Sequence, residues 1–99
     1  MKLDTRPLER VVEGAVVKYA KGLGVLSYKL NGMGQRSWPD RMFLHEGCIM
    51  FVEFKRLGEK PTPKQTLNHE MLRNAGFNVK VVDNKEAGLS IIKNWAGCP

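Results

Sequence analysis

The run CIMFVEFK at residues 48–55 decides how this chain folds. Its first five residues are apolar, as in a strand buried inside a sheet, but Glu53 and Lys55 end the run with opposite charges. Burying a charge without a partner is costly, so a compensating group is expected nearby. Asp40, which follows Pro39, is another carboxylate in a strand-like setting. The run therefore predicts a polar site built into the edge of a small apolar core.

The turn before this run determines which residues face each other. The sequence predicts an antiparallel hairpin around Glu46-Gly47. A two-residue turn there pairs Arg41 with Val52 and Asp40 with Glu53. Opposed residues in such a pair lie about 5 Å apart at Cβ, so two like charges would repel unless a cation lay between them. Glu-Gly is not a favoured two-residue turn, so a register shifted by one residue remains open.

The remaining segments alternate between helical and strand patterns. Apolar residues from Leu8 to Ala20 recur at helical spacing, and a second helix opens at Thr62-Pro63 and closes at Gly76. Asp83 or Asn84 is expected to cap a third helix. The chain is thus predicted to be a single domain over residues 1–99 with the order α-β-β-β-α-β-α. The predicted strands are residues 24–30, 41–44, 48–55 and 77–82.

Composition narrows the possible partners. The net charge of +6 favours nucleic acid or an anionic surface as the partner. No apolar stretch approaches the ~20 residues that cross a bilayer, so no membrane partner is expected. The N-terminus lacks the apolar region of a signal peptide, which predicts a cytoplasmic protein.

The two cysteines are too few for a disulfide framework. Cys48 lies in a predicted buried strand, and Cys98 lies next to the C-terminus. With His45 and His69 they lack the paired ligand spacing of a zinc site. We therefore expect neither a disulfide nor a zinc centre.

Pro39-Asp40 followed by Glu53-x-Lys55, within this element order, resembles the PD-(D/E)xK nuclease superfamily. More narrowly, the chain is similar to the VRR-NUC (virus-type replication-repair nuclease) group in its stand-alone phage-type form. Further matches are Glu13 in the first helix, the glycine-containing loop before Pro39, and Gln65 at the start of the second helix. The resemblance covers about residues 8–95. It implies an α/β fold with an αβββαβ nuclease core, in which a small mixed sheet is flanked by helices.

The resemblance also implies a metal-dependent site. Asp40, Glu53 and the backbone carbonyl of Phe54 would bind Mg²⁺ or Mn²⁺, joined by Glu13 directly or through water. Carboxylates are the hard oxygen ligands that these ions prefer. No organic cofactor is expected. The catalytic residues that the resemblance implies are Glu13, Asp40, Glu53, Lys55 and Gln65.

Two of these residues would act on the reacting groups rather than on the metal. Lys55 would orient the attacking water and stabilise the charge of the transition state. Gln65 would hold Lys55 or the nucleophile. Gln65 also has a structural alternative, because Thr62-x-x-Gln65 is the pattern of a capping box. His69 is interpreted as a polar helix residue or at most a DNA contact.

The other carboxylates have structural alternatives too. Glu53 and Lys55 alternate with apolar residues, which is also the pattern of an ordinary ion pair on the wet face of a strand. Asp40 could instead begin a turn after proline. Glu13 lies at the edge of the apolar stripe, where a solvated glutamate is common.

Cations that flank the site in sequence are the expected DNA contacts. Such residues position the sugar–phosphate backbone without reading sequence. They are Lys29, Arg36, Arg41, Arg56, Lys60 and Lys64.

The expected function is a homodimeric endonuclease of DNA repair that resolves Holliday junctions or other branched DNA. The substrate and the dimer rest on the resemblance. One alternative is a flap, nick or single-strand nuclease without junction preference. Another is a basic DNA-binding accessory module that does not cleave.

Overall fold

The computed structural model describes residues 3–30 and 37–97. Within these ranges, three helices and four strands follow one another in the predicted order. They are α1 (Glu9–Gly22), β1 (Leu26–Lys29), β2 (Arg41–His45), β3 (Cys48–Phe54), α2 (Pro63–Asn74), β4 (Asn78–Val82) and α3 (Lys85–Ala96). None of the helices in the described residues has the length and apolar character that a membrane crossing needs.

The four strands form one sheet in the order β1-β2-β3-β4. The first three strands are antiparallel neighbours, and β4 runs parallel to β3. A parallel connection needs a crossover, which α2 supplies between β3 and β4. The predicted α/β fold, a small mixed sheet flanked by helices, is confirmed.

The hairpin between β2 and β3 has the predicted register. Arg41 faces Val52 without a slip. The turn residues Glu46 and Gly47 have φ angles of 48° and 80°, so both are left-handed, as tight hairpin turns require. The ladder stops at the pair of Arg41 and Val52, one position short of the expected pairing of Asp40 with Glu53.

The two faces of the sheet differ in what covers them. Side chains alternate along β3, so Val52 and Phe54 point toward α1 and α3, whereas Phe51 and Glu53 point toward α2. We call these sides the α1/α3 face and the α2 face. Gly88 of α3 allows close helix packing, since a Cβ there would clash with Val16 of α1. The buried cluster of the α1/α3 face is Val12, Val16, Ala20, Val25, Phe43, Met50, Val52, Phe54, Val82 and Ile92.

The α2 face has a much smaller apolar cluster. Its buried members are Phe51, Leu72 and Val79. Two buried ionisable side chains, Glu53 and His69, lie against each other on the same side of the sheet. The fold therefore separates an apolar core from a region where polar groups are buried.

The hairpin turn lies at the end of the sheet away from Asp40. Cys48, predicted to be buried, is exposed because it is the first residue of β3, directly after the turn. Trp95 of α3 packs near His45, with ring centroids 6.2 Å apart. Asn84, one of the two predicted caps, caps α3 by accepting a hydrogen bond from the Ala87 N–H at 2.8 Å.

Candidate active site

The candidate site lies where β2 and β3 stop pairing. The Lys55 N–H donates to Val82 O of β4 at 2.9 Å, so the preceding N–H, that of Phe54, points toward β2. Because the ladder has already ended, Asp40 supplies the missing acceptor: its Oδ2 accepts from the Phe54 N–H at 2.7 Å. This bond fixes the Asp40 carboxylate beside the end of β3. It satisfies a backbone donor that would otherwise be unpaired.

Glu53 is the most unusual carboxylate of the structure. It is only 2% exposed. Burial raises the pKa of Glu53 to about 8, with further contributions from the charge of Asp40 and a hydrogen bond with it. Lys55 acts in the opposite direction, but its charge does not cancel these effects. Glu53 therefore keeps its proton to a higher pH than an exposed glutamate does, because ionising it would place a second negative charge beside Asp40.

His69 completes the buried part of the site. It is 2% exposed, and its Nε2 lies 3.4 Å from Oε1 of Glu53. Burial lowers the pKa of His69, and the charges of Arg73 and Lys55 lower it further. The interpretation of His69 as a polar helix residue or at most a DNA contact did not include this buried contact with Glu53. The available signal was helical spacing, because His69 lies three residues before the buried Leu72 and so on the same side of α2.

Glu9 is a second residue that the sequence interpretation missed. It lies in the first turn of α1, and its charge is the last of the causes that raise the pKa of Glu53. Glu9 itself is exposed. It adds negative potential near the site without belonging to its buried part.

Glu13 is bound by a cationic side chain. It forms an ion pair with Nε of Arg41, whose Nη1 also lies 3.4 Å from the Ser27 hydroxyl. Arg41 shares its side of the sheet with Val52, so this pair belongs to the α1/α3 face. The structure thus joins an expected metal ligand to an expected DNA contact. The pair occupies Oε2 of Glu13 and Nε of Arg41.

Gln65 forms the capping box that its sequence context allows. Its Oε1 accepts from the Thr62 N–H at 2.9 Å, and its own N–H donates to Thr62 Oγ1 at 3.2 Å. The side chain is therefore engaged at the start of α2. Its position at the beginning of the helix that carries His69 keeps it at the same end of the sheet as Glu53.

The expected DNA contacts differ in their freedom to bind. Arg56 is held by the N-terminal segment, with Nη1 3.0 Å from Asp4 Oδ2 and Nη2 donating to Arg6 O at 2.7 Å. Arg36 lies outside the described residues. The three lysines among the expected contacts are exposed; they are Lys29, Lys60 and Lys64.

The donor chemistry of the site fits a hard divalent cation. The pKa of Glu53 is raised beside Asp40, and a bound cation would offset the repulsion between the two groups when both are ionised. In residues 3–30 and 37–97, no group of three or more His, Cys, Asp and Glu side chains is arranged to hold a metal ion. The side-chain ligands would therefore be Asp40 and Glu53, and the remaining ligands would be backbone carbonyls or water.

Comparison with known proteins identifies the family. No protein-family model matches the chain. A curated relative, "Putative nuclease p44" of Acyrthosiphon pisum secondary endosymbiont phage 1, is 39% identical over 79 residues, which are 79% of this chain and 85% of that protein. A solved structure described as a VRR_NUC domain has a TM-score of 0.79 and 34% identity, over 88% of this chain and 96% of its own.

The chain belongs to the VRR-NUC nuclease family. The predicted resemblance to phage-type VRR-NUC nucleases is confirmed by both matches. The match includes 96% of the solved VRR_NUC domain and 88% of this chain, so most of the fold described above is shared with that domain.

Proposed function

We propose that this VRR-NUC nuclease hydrolyses DNA phosphodiesters with Mg²⁺ or Mn²⁺ held by Asp40 and Glu53. The observation that carries the proposal is the buried Glu53 beside the half-buried Asp40, where burial and the charge of Asp40 raise the pKa of Glu53. A buried carboxyl group next to a second carboxylate is costly to ionise and does not by itself stabilise the fold. Binding of a divalent cation would explain why the two groups lie together, since carboxylates are its preferred ligands.

When bound, the metal would supply a Lewis acid and lower the pKa of a coordinated water. The protein side chains would hold the metal and orient the attacking water. Asp40 is held in place by the Phe54 N–H, and the Phe54 carbonyl is the expected backbone ligand. Lys55 lies two residues after Glu53 and influences its pKa, so its ammonium group is near the carboxylates. There it would orient the attacking water and stabilise charge on the phosphate.

Glu13 and Gln65 have more distant roles in this proposal. Glu13 would reach the metal directly or through water, with the carboxylate that it also shares with Arg41. Gln65 would orient Lys55 or the nucleophile while its oxygen remains in the capping box. We expect substitutions of either residue to affect cleavage less than substitutions of the two carboxylates.

For the substrate, we propose branched DNA, including four-way junctions. The net charge of +6 and the exposed Lys29, Lys60 and Lys64 support attraction to phosphate without base reading. Cleavage that depends on DNA shape rather than on sequence fits such contacts. Arg41 and Arg56 would join them after leaving their carboxylate partners in the protein.

A symmetric homodimer would place two sites on one junction. The α2 face offers a surface for it, because Leu26 and Tyr28 of the edge strand β1 are 58% and 53% exposed. Tyr28 pairs with Met42, which pairs with Phe51, so this surface continues the α2 face beyond the helix that covers it. Light scattering of the wild type and of Leu26→Asp tests it: a dimer that Leu26→Asp dissociates is expected, and a monomeric wild type would contradict it.

The activity is tested by cleavage of labelled four-way junction, flap, nicked and linear duplex DNA with Mg²⁺, Mn²⁺ or EDTA. Asp40→Ala and Lys55→Ala are the test variants. Lys93→Ala is a charge-matched control for Lys55→Ala, because Lys93 is an exposed residue of α3 near the hairpin end of the sheet. We expect paired junction nicks that EDTA and both test variants remove and that Lys93→Ala retains.

Two other results would change the proposal. Metal-dependent cutting without junction preference would keep the site and replace the substrate with flaps, nicks or single strands. A folded wild type that binds DNA in EDTA but never cleaves it would identify an accessory module instead.

A further inference from the structure

The inner side of α2 carries polar residues where an amphipathic helix usually carries apolar ones. The residues that α2 buries are Asn68, His69 and Leu72. His69 is as deeply buried as Glu53, and each is 2% exposed. An imidazole in such a position requires a hydrogen-bond partner, and the structure supplies the Glu53 carboxylate, whose Oε1 lies 3.4 Å from Nε2.

The two carboxylates of the site are oriented in different ways. Asp40 is fixed by a backbone donor, the Phe54 N–H at 2.7 Å. Glu53 accepts no backbone hydrogen bond from the described residues; apart from its neighbour Asp40, its polar contact there is His69. The orientation of Glu53 therefore depends on a side chain from another element, α2.

We propose that His69 is a positioning residue that holds Glu53 for metal binding. The inference rests on the proposed function. Nε2–H would donate to Oε1 of Glu53 and leave Oε2 to face the cation beside Asp40. Outer partners of this kind orient carboxylate ligands, and their loss typically weakens metal binding by about 10–100-fold. A purely structural His69 would fill space between α2 and the sheet and leave metal affinity unchanged.

Two substitutions separate these roles. His69→Gln keeps an N–H donor near Glu53, whereas His69→Phe fills the space without a donor. Leu72→Ala is the packing control, because Leu72 lies on the same side of α2 and belongs to the apolar cluster there. Glu53→Gln and Asp40→Asn report whether Mn²⁺ binds at the proposed site at all.

The measurement is the Kd for Mn²⁺ by titration calorimetry or electron paramagnetic resonance, without DNA, beside the rise in Tm that Mn²⁺ produces. We expect His69→Phe to weaken binding by about tenfold or more, His69→Gln to bind more tightly than His69→Phe, and Leu72→Ala to keep the wild-type Kd despite a lower Tm.

Other outcomes would overturn the inference in distinguishable ways. If His69→Phe binds Mn²⁺ like the wild type, or if His69→Gln, His69→Phe and Leu72→Ala all weaken binding equally, His69 only packs. If the wild type itself binds no Mn²⁺, or binds it as well as Glu53→Gln and Asp40→Asn do, the proposed metal site fails and the role of His69 fails with it. If His69→Phe does not fold, His69→Leu takes its place as the variant without a donor, and a wild-type Kd for it would overturn the inference.

Discussion

The two faces of the sheet differ in the kind of side chain that they bury. The α1/α3 face buries a continuous apolar cluster that includes Phe43, Phe54 and Ile92. The α2 face has three buried apolar residues in its cluster and buries Glu53 against His69. Since apolar burial is the main source of stability and buried charge opposes it, the first face maintains the fold. The second face carries groups that are better explained by binding than by stability.

The alternation of side chains along β3 makes this division possible. Neighbouring residues point to opposite sides, so Phe54 can belong to the apolar core while Glu53 belongs to the site. A strand that ends a core on one side can therefore begin an active site on the other. The predictions below test this division, from the largest expected effect to the smallest.

Phe43→Ala tests the apolar face. Phe43 is fully buried, so we expect a loss of about 3–5 kcal/mol in the free energy of unfolding. Urea denaturation monitored by circular dichroism measures it. Ile92→Val is the milder variant, with an expected loss of about 0.5–1.5 kcal/mol. A loss below 1 kcal/mol for Phe43→Ala would show that this face is not the main core.

Glu53→Gln tests the opposite face. We expect cleavage to fall about 10²–10³-fold, the loss typical of removing a group that stabilises the transition state electrostatically. The free energy of unfolding in EDTA should not fall, because glutamine, like protonated Glu53, places no second negative charge beside Asp40. Cleavage is measured at saturating Mg²⁺ on the preferred substrate. A Glu53→Gln variant that has a lower free energy of unfolding but the specific activity of the wild type would reverse the assignment of the two faces.

The raised pKa of Glu53 predicts how stability depends on pH without metal. Glu53 titrates at about 8 in the folded protein, against an ordinary value of 4.5, so between these values the folded state binds the extra proton. Its contribution to stability is complete below the unfolded pKa and is lost as pH rises through about 8. In EDTA, the wild type should thus lose stability relative to Glu53→Gln by at most about 1.4 kcal/mol per pH unit.

His69 acts with the opposite sign on this pH dependence. Its pKa is lowered in the folded protein, so its contribution to the free energy of unfolding increases as the pH rises toward the ordinary histidine pKa of 6.5. Both proteins contain His69, so the difference between them isolates Glu53. Denaturation midpoints at pH 5, 6.5 and 8 are sufficient. Parallel curves for the two proteins would mean that Glu53 is ionised throughout.

The smallest effect separates the two roles of Gln65. Thr62→Ala and Gln65→Ala each remove one half of the capping box, and each should reduce the free energy of unfolding by about 1 kcal/mol. If Gln65 also orients Lys55 or the nucleophile, only Gln65→Ala lowers kcat. Equal kcat values for the two variants would restrict Gln65 to capping.

Local patterns predicted most of the fold. The register of the hairpin followed from a two-residue turn, and the capping box of Gln65 and Thr62 followed from its four-residue spacing. These features depend on neighbours in sequence, so the sequence contains the information directly. The VRR-NUC fold itself was predictable because the motif residues occur in the expected element order.

Contacts between distant segments were harder to predict. The burial of His69 depends on how α2 is rotated on the sheet, and its contact with Glu53 spans 16 positions. The ion pair of Glu13 with Arg41 spans 28 positions and joins two residues that were assigned separate roles. Charge and periodicity show that such residues are polar, but they do not show which partner each one meets.

The central claim is that Asp40 and Glu53 hold a divalent metal on the α2 face. The most direct measurement is anomalous diffraction from crystals of the protein soaked in MnCl₂, beside crystals of Glu53→Gln treated identically. We predict an anomalous peak bonded to both carboxylates in the wild type, with His69 in contact with Glu53 and not with the metal, and a lost or much weaker peak in Glu53→Gln. A peak at another site, or a wild type that lacks one between Asp40 and Glu53, would contradict the account.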